Sequence, residues 1–433
     1  MAIKYRNDVF ISKIGWEACL RDKAYDTKQS SNLNKHTYCH ENQIKDKLPI
    51  PYNEAWLEYK EDGTHHDKNQ IKAILKWIKA QKKPLTVIVY VHGWHQNADI
   101  SNNDPRNNAI KFSFLLSRVV YNVKRLATYG KINEQKVLGI YMGWRGEENT
   151  KITNIFTIGS RAKVATRIGQ RGIIKSDLQK IALAIGKHSH LMVLGHSLGG
   201  RILTSAFRSD LECKDPNVFS EFNTTAPLGE NSLIITLNPA VNADCYESVF
   251  KYKGCNPRTP RPYWINITSE DDKATKIVYG AASFFHMVNG CKERDYLYQS
   301  TIGHYNEYLR QVIDQVDICG PSDKSLEKDS DEMAWFLHPN PKLVLQFQNF
   351  FDTDKIENRC RTLHFGLQAD NIPERALKRK VWNVRTDQSL MDFGDEGGGG
   401  IIGLHSGYIS TILMRLFTDM LFYVPKEGGK DSI

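Results

Sequence analysis

The sequence predicts an α/β fold built on a mostly parallel, doubly wound sheet. Three observations carry this. Apolar, β-branched runs of strand length recur along the chain, as in Leu85–Val91, Val137–Met142, Leu191–Leu194, Leu233–Leu237 and Tyr263–Ile267. They are apolar at successive positions, as expected of strands buried on both faces. Segments with apolar residues at helical spacing separate them, and that alternation implies βαβ units.

Taken in order, residues 1–50 are polar and patternless, and predict a loop-rich lead-in. Ala55–Tyr59 reads as a short strand closed by a turn at Asp62-Gly63. Asp67 can cap a helix whose apolar positions are Ile71, Ile74, Leu75 and Ile78. Residues 105–127 read as a helix, and 158–185 as a basic helix broken near Gly169 and Gly172. Residues 275–378 interrupt the rhythm with helical pieces, a charged stretch and few strands, and predict an insertion or cap. The rhythm resumes at Lys380–Thr386, followed by Gly397–Gly400 and an amphipathic helix over 406–423. The expected organisation is thus a lead-in, 1–50, a core of 51–274 with 379–425, and an insertion or cap, 275–378.

Composition narrows the function classes. Apolar residues make up 41%, charged residues 25% and aromatics 10% of 433 residues, which is ordinary for a globular protein. No apolar run approaches the roughly 18 residues that a membrane span needs. The N-terminus lacks the apolar core of a cleavable signal peptide, so the expectation is a cytoplasmic protein, or one exported without such a peptide. The net charge of +9 permits contact with an anionic membrane without requiring it. Basic residues are not interleaved with aromatics as in a nucleic-acid module, so no nucleic-acid partner is expected. The eight cysteines form no C-x-x-C pair, which predicts reduced thiols rather than a metal or redox motif.

The strongest chemical signal is Gly195-His196-Ser197-Leu198-Gly199-Gly200, a G-x-S-x-G pattern between a strand end and a helix start. A serine on so sharp a turn takes a strained backbone and projects above the C-terminal edge of the sheet. The Leu198 amide then faces a developing oxyanion from the helix N-terminus. A second signal, His92-Gly93-Trp94, follows the Leu85–Val91 run directly. The turn it makes can bring the Trp94 amide to the same oxyanion. His92 and His95 could instead form a metal pair, but the intervening glycine and the lack of a nearby carboxylate argue against it.

With these motifs and the weaker Gly143-Trp144-Arg145-Gly146 turn, the sequence resembles the α/β-hydrolase superfamily, in particular its lipase and esterase members. The likeness spans roughly 85–275 and 380–420. It implies a sheet of the α/β-hydrolase type, with the large insertion or cap between the acid and histidine segments. It also implies a catalytic triad in the chain order serine, acid, histidine. Some lipases carry the acid at the position of Asn238, and an asparagine cannot serve as the anionic partner. The acid role therefore moves to Glu270-Asp271-Asp272, where the D-x-A-T pattern favours Asp272 and leaves Asp271 as alternate. For the base, His405 follows the last expected strand and a glycine-rich loop, where the resemblance places it; His304 is the alternate.

The implied protein is a serine esterase or lipase that hydrolyses carboxylic esters, of lipids or phospholipids above all, through an acyl-enzyme on Ser197. It needs no metal or organic cofactor. The other reading is a catalytically silent hydrolase fold used as a binding module. The apolar face of the 406–423 helix suits core packing better than a membrane. The run Arg375, Lys378, Arg379, Lys380 reads as a solvated face that could also meet phospholipid headgroups.

Overall fold

The structure is a computed structural model. It describes residues 51–94, 96, 108–128, 132–146, 157–211, 226–251, 256, 259, 262–279, 291, 300–309 and 379–386, together with elements at 10–14, 311–317, 335–336, 343–349, 361–367 and 411–422. Its strands are β1 (Phe10–Ile14), β2 (Pro51–Glu58), β3 (Leu85–Val91), β4 (Lys136–Gly143), β5 (His190–His196), β6 (Ser232–Leu237), β7 (Trp264–Ser269), β8 (Gln311–Asp317), β9 (Trp335–Phe336), β10 (Leu343–Asn349), β11 (Arg361–Leu367) and β12 (Val381–Thr386). They form one sheet in the order β1-β2-β4-β3-β5-β6-β7-β12-β8-β11-β10-β9. From β2 to β8 in that order every neighbouring pair is parallel. The pairs toward β1 and β9 are antiparallel.

The helices are α1 (Lys68–Lys79), α2 (Asn108–Thr128), α3 (Thr157–Gln170), α4 (Ile173–Ile185), α5 (Leu198–Ala206) and α6 (Thr411–Phe422), besides shorter turns. Asp67 caps α1 as its sequence predicts, its carboxylate accepting from the Asn69 amide at 2.8 Å. The expected break falls between α3 and α4, where Gly172 has a positive φ of 80°.

The twofold alternation of the strands sorts side chains into two cores. Val87, Val89, Leu191, Val193 and Ile234 pack with α1, α3, α4 and α5 on one face. Ile88, Tyr90, Met192, Leu194 and Ile235 pack with α2 and α6 on the other. Met414, Phe417, Met420 and Leu421 of α6 lie in the second core.

The winding reverses around β3. The chain passes from β3 to β4 on one side and then crosses back to β5 on the other. Open α/β sheets bind ligands at the C-terminal ends of strands at such a switch point. Here those ends are Val91 and His196, which lead directly into His92-Gly93-Trp94 and Ser197.

Three expectations change. The lead-in contributes β1, paired to β2 from Phe10↔Ala55 to Ile14↔Pro51. The insertion, expected to hold few strands, supplies β8 to β11, which lengthen the sheet beyond β12; their alternation is too polar to stand out as buried strands. The expected basic face is turned partly inward. Lys380 is buried and donates to the Asp210 carbonyl at 3.3 Å, and Arg379 donates to the Asn256 carbonyl. Burial holds the Lys380 ammonium below its ordinary pKa. Arg375 and Lys378 lie outside the described residues. Among the described residues no helix is long and apolar enough to cross a membrane.

The cysteines also depart from the expectation of reduced thiols: Cys245 and Cys291 form a disulfide across 46 positions of sequence. Spacing alone did not reveal it, because the pairing is brought about by tertiary structure. Closing a loop of that length restricts the unfolded chain, and a chain-entropy estimate gives about 4 kcal/mol. Peptide mapping without reductant should recover the Cys245–Cys291 cross-link. Cys291→Ser should lower the melting temperature; an unchanged value would show that the bond contributes nothing to stability.

Candidate functional site

Ser197 stands between β5 and α5 with φ 54° and ψ −117°. Such a conformation costs a non-glycine residue on the order of 1–3 kcal/mol and persists only where surrounding contacts over-determine it. Those contacts are present. The Ser197 amide donates to the Leu237 carbonyl at 2.9 Å, and its carbonyl accepts from the Ala240 amide at 3.1 Å. The neighbouring strand ends alike, with Asn238 at φ 43°. The Asn238 amide donates to the Ile267 carbonyl at 2.8 Å, and its side-chain oxygen accepts from the Ser269 amide at 3.0 Å. Asn238, which lacks the charge of an acid, thus fastens the end of β6 to the end of β7, where the acidic turn begins.

The loop after β3 lies against the serine. A Cβ on Gly93 would fall 2.9 Å from the Ser197 Cβ, so only glycine lets the main chain leading to Trp94 pass this close. Leu198 is buried at the first position of α5. The two amides expected to face an oxyanion therefore belong to segments that meet at Ser197. His92 shapes this loop. Its Nε2 accepts from the Trp144 amide at 3.0 Å, the Trp144 indole donates to the His92 carbonyl at 2.9 Å, and the two rings stack. Burial pushes the His92 imidazole down to about 4, so it is neutral and its Nδ1 proton bonds the Gly93 carbonyl at 2.9 Å. Gly143-Trp144-Arg145-Gly146 is therefore a brace for the β3 loop, a role that the dipeptides alone did not signal. His95, the other member of the pair considered for a metal, lies outside the described residues.

The three adjacent carboxylates separate by environment. Glu270 is exposed and lies 3.5 Å from Arg385. Asp271 is half-buried, and Asp272 is fully buried. Asp272 Oδ1 accepts from the Ala274 and Thr275 amides at 3.1 and 3.3 Å, and its Oδ2 accepts from the Thr275 hydroxyl. These bonds fix the carboxylate at the start of a π-helical turn, Ala274–Val278.

His304 is brought to this turn. Its Nε2 lies 3.1 Å from the Thr275 hydroxyl, and the ring also bonds the Asp272 main chain. Its loop is pinned from two sides. The Ile302 amide donates to the Val241 carbonyl at 2.9 Å, while the Asn383 side chain in β12 donates to the Ile302 and Tyr308 carbonyls. Gly303 lets the loop press on β7, since a Cβ there would fall 1.9 Å from the Thr268 hydroxyl oxygen. Desolvation is the largest influence on His304 and lowers its pKa to about 4; the Asp272 charge opposes it, and Lys276 and Arg385 reinforce it. The imidazole is therefore neutral near pH 7. His405 lies outside the described residues. Hydrogen bonds from β12 and from the segment after β6 hold the His304 loop in place.

No family model matches the chain, and no curated protein matches it. Among solved structures, phospholipase PlaB from Legionella pneumophila in complex with thio-NAD is similar at 12% identity, with a TM-score of 0.18, over 70% of this chain and 93% of that one. At that level of superposition the match bears on neither fold nor chemistry.

The pKa of His304 is directly measurable. NMR titration of selectively labelled histidine should place it well below the ordinary 6.5, near the value of about 4. Asp272→Asn removes a charge that favours the imidazolium, so the titration should move lower still. A rise in that variant would show that the carboxylate does not act on the ring.

Proposed function

We propose that this protein is a serine hydrolase that cleaves carboxylic esters through an acyl-enzyme on Ser197, with lipid or phospholipid acyl esters as its substrates. The observation that carries the reading is the strained Ser197 at the switch point of a parallel sheet, bonded to the end of β6, which is itself bonded to the segments that bear a buried carboxylate and a neutral histidine. In this reading His304 is the base and Asp272 the acid. The nitrogen of His304 not held by the acidic turn takes the Ser197 proton as the hydroxyl attacks the ester carbonyl. Asp272 and the Thr275 hydroxyl orient the ring, and the nearby negative charge stabilises the imidazolium.

The oxyanion rests on the Leu198 and Trp94 amides, fixed dipoles that need no reorganisation during the step. The alcohol leaves with the proton from His304. Water, deprotonated by the same imidazole, then attacks the acyl-enzyme and releases the acid and free Ser197. A base held near a pKa of about 4 stays unprotonated in mildly acidic solution. The preference for lipid esters rests on the resemblance of the serine motif and its surroundings to those of lipases. With His304 as base, the strands β8 to β11 follow the complete triad rather than separating acid from base.

The test combines a fluorophosphonate probe with p-nitrophenyl esters and phospholipids. The parent should be labelled at Ser197 and should hydrolyse esters. Ser197→Ala should lose both, a fall on the order of 10⁶ in turnover. His304→Ala should be comparably inactive, whereas His405→Ala should remain within about tenfold of the parent. An inactive His405→Ala beside an active His304→Ala would transfer the base to His405. Asp272→Asn should fall by about 10⁴ and Asp271→Asn by less than about tenfold. A parent that binds lipid yet neither labels nor hydrolyses any ester would leave a binding module in place of an enzyme.

The pH profile gives an independent check. Protonation of His304 removes the base, so kcat/KM should fall as the solution is acidified. Its acidic limb should lie near the depressed pKa of about 4. A limb at the ordinary histidine value would point to a solvated imidazole elsewhere as the base.

A further inference from the structure

We propose that Arg201 is the positioning residue of this site: its buried guanidinium locks together the segments that carry the nucleophile, the acid and the base. The inference rests on the assignment of Ser197, Asp272 and His304 above.

Arg201 lies one helical turn after Ser197, and its amide donates to the Ser197 carbonyl at 3.3 Å. Its side chain is only 5% exposed. Nε donates to the Thr166 hydroxyl of α3 at 2.7 Å. Nη1 donates to the Asn242 side-chain oxygen at 3.2 Å, to the Ala240 carbonyl at 3.4 Å and to the Tyr279 hydroxyl. The Tyr279 hydroxyl donates in turn to the same Asn242 oxygen at 2.8 Å. One planar group therefore engages α3, the segment after β6, and the end of the turn that begins beside Asp272.

Each partner leads to a different member of the site. Ala240 gives its amide to the Ser197 carbonyl and its own carbonyl to Arg201. Asn242 pairs with Thr301 in an isolated antiparallel bridge, and the preceding Val241 carbonyl accepts from Ile302, two residues before His304. Tyr279 closes the π-helical turn whose first residues bond the Asp272 carboxylate. The segments of serine, base and acid thus share one small polar cluster. Burying a guanidinium is costly, and an ordinary helix–sheet contact would place an aliphatic residue at this position. What the cation can do, and the point charge of lysine cannot, is fix several acceptors from separate segments at set angles.

Positioning predicts a loss in turnover per active site rather than in the number of active sites. Arg201→Lys and Tyr279→Phe should be compared with the parent using p-nitrophenyl butyrate, with active serines counted by end-point fluorophosphonate titration. Small misplacements of reacting groups cost up to about 10²-fold. Arg201→Lys should therefore lose about tenfold or more in kcat per titrated serine, with KM within about twofold of the parent. Tyr279→Phe removes one hydroxyl and keeps the ring, so it serves even where Arg201→Lys does not fold; a several-fold loss in the same quantity is expected. Unchanged kcat per titrated serine in the folded variants, with only fewer titratable sites or a lower melting temperature, would overturn the proposal and leave Arg201 a stabilising residue. A parent whose Ser197 does not titrate at all would instead overturn the hydrolase reading itself.

Discussion

The site depends on one strained residue and the bonds that hold it. Ser197 can keep a positive φ because its amide and carbonyl are engaged by the end of β6 and the segment after it, through Leu237 and Ala240. A turn of this kind projects the hydroxyl away from the sheet and starts a helix immediately behind it. If β5 and β6 were not adjacent and parallel, neither bond would form and the serine would relax into an ordinary loop. The architecture of the sheet is thus the condition for the local geometry.

The same constraint spreads outward along β6. Asn238, itself at positive φ, ties the end of β6 to β7, and Val241 ties the next residues to the loop that carries His304. Arg201, Asn242 and Tyr279 join these segments through shared hydrogen bonds. The β3 loop is held separately, by the neutral His92 and the stacked Trp144. Strand ends that are far apart in sequence are thereby fixed at one edge of the sheet.

Electrostatics follow from the packing. Of three consecutive carboxylates, the buried one meets amide and hydroxyl donors, while the exposed one faces Arg385. Burial lowers the affinity of His304 for a proton more than the Asp272 charge raises it, so the ring stays neutral over a wide range of pH. Neither property belongs to the residue type; each arises from which side of the turn faces the protein.

Much of this was legible in the chain by itself. Strand-length β-branched runs gave the parallel sheet, because burial on both faces leaves no polar positions to break them. The glycines around Ser197 marked the elbow, since few other residues tolerate so close a turn, and Asp67 marked the start of α1. The edges were not legible: β1 and β8 to β11 carry polar residues, and the pairing of β8 with β11 and β12 joins segments far apart in the chain. The choice among Glu270, Asp271 and Asp272 rested on resemblance, and burial separates them only in three dimensions. His304, the alternate base in sequence, lies on a loop held by the hydrogen bonds of Asn383 and Val241, which no local pattern announces. Arg201 and the Cys245–Cys291 bond had no sequence signal either. Local physics writes periodicity and turn chemistry into sequence, whereas contacts between segments far apart in the chain exist only once the sheet has brought their ends together.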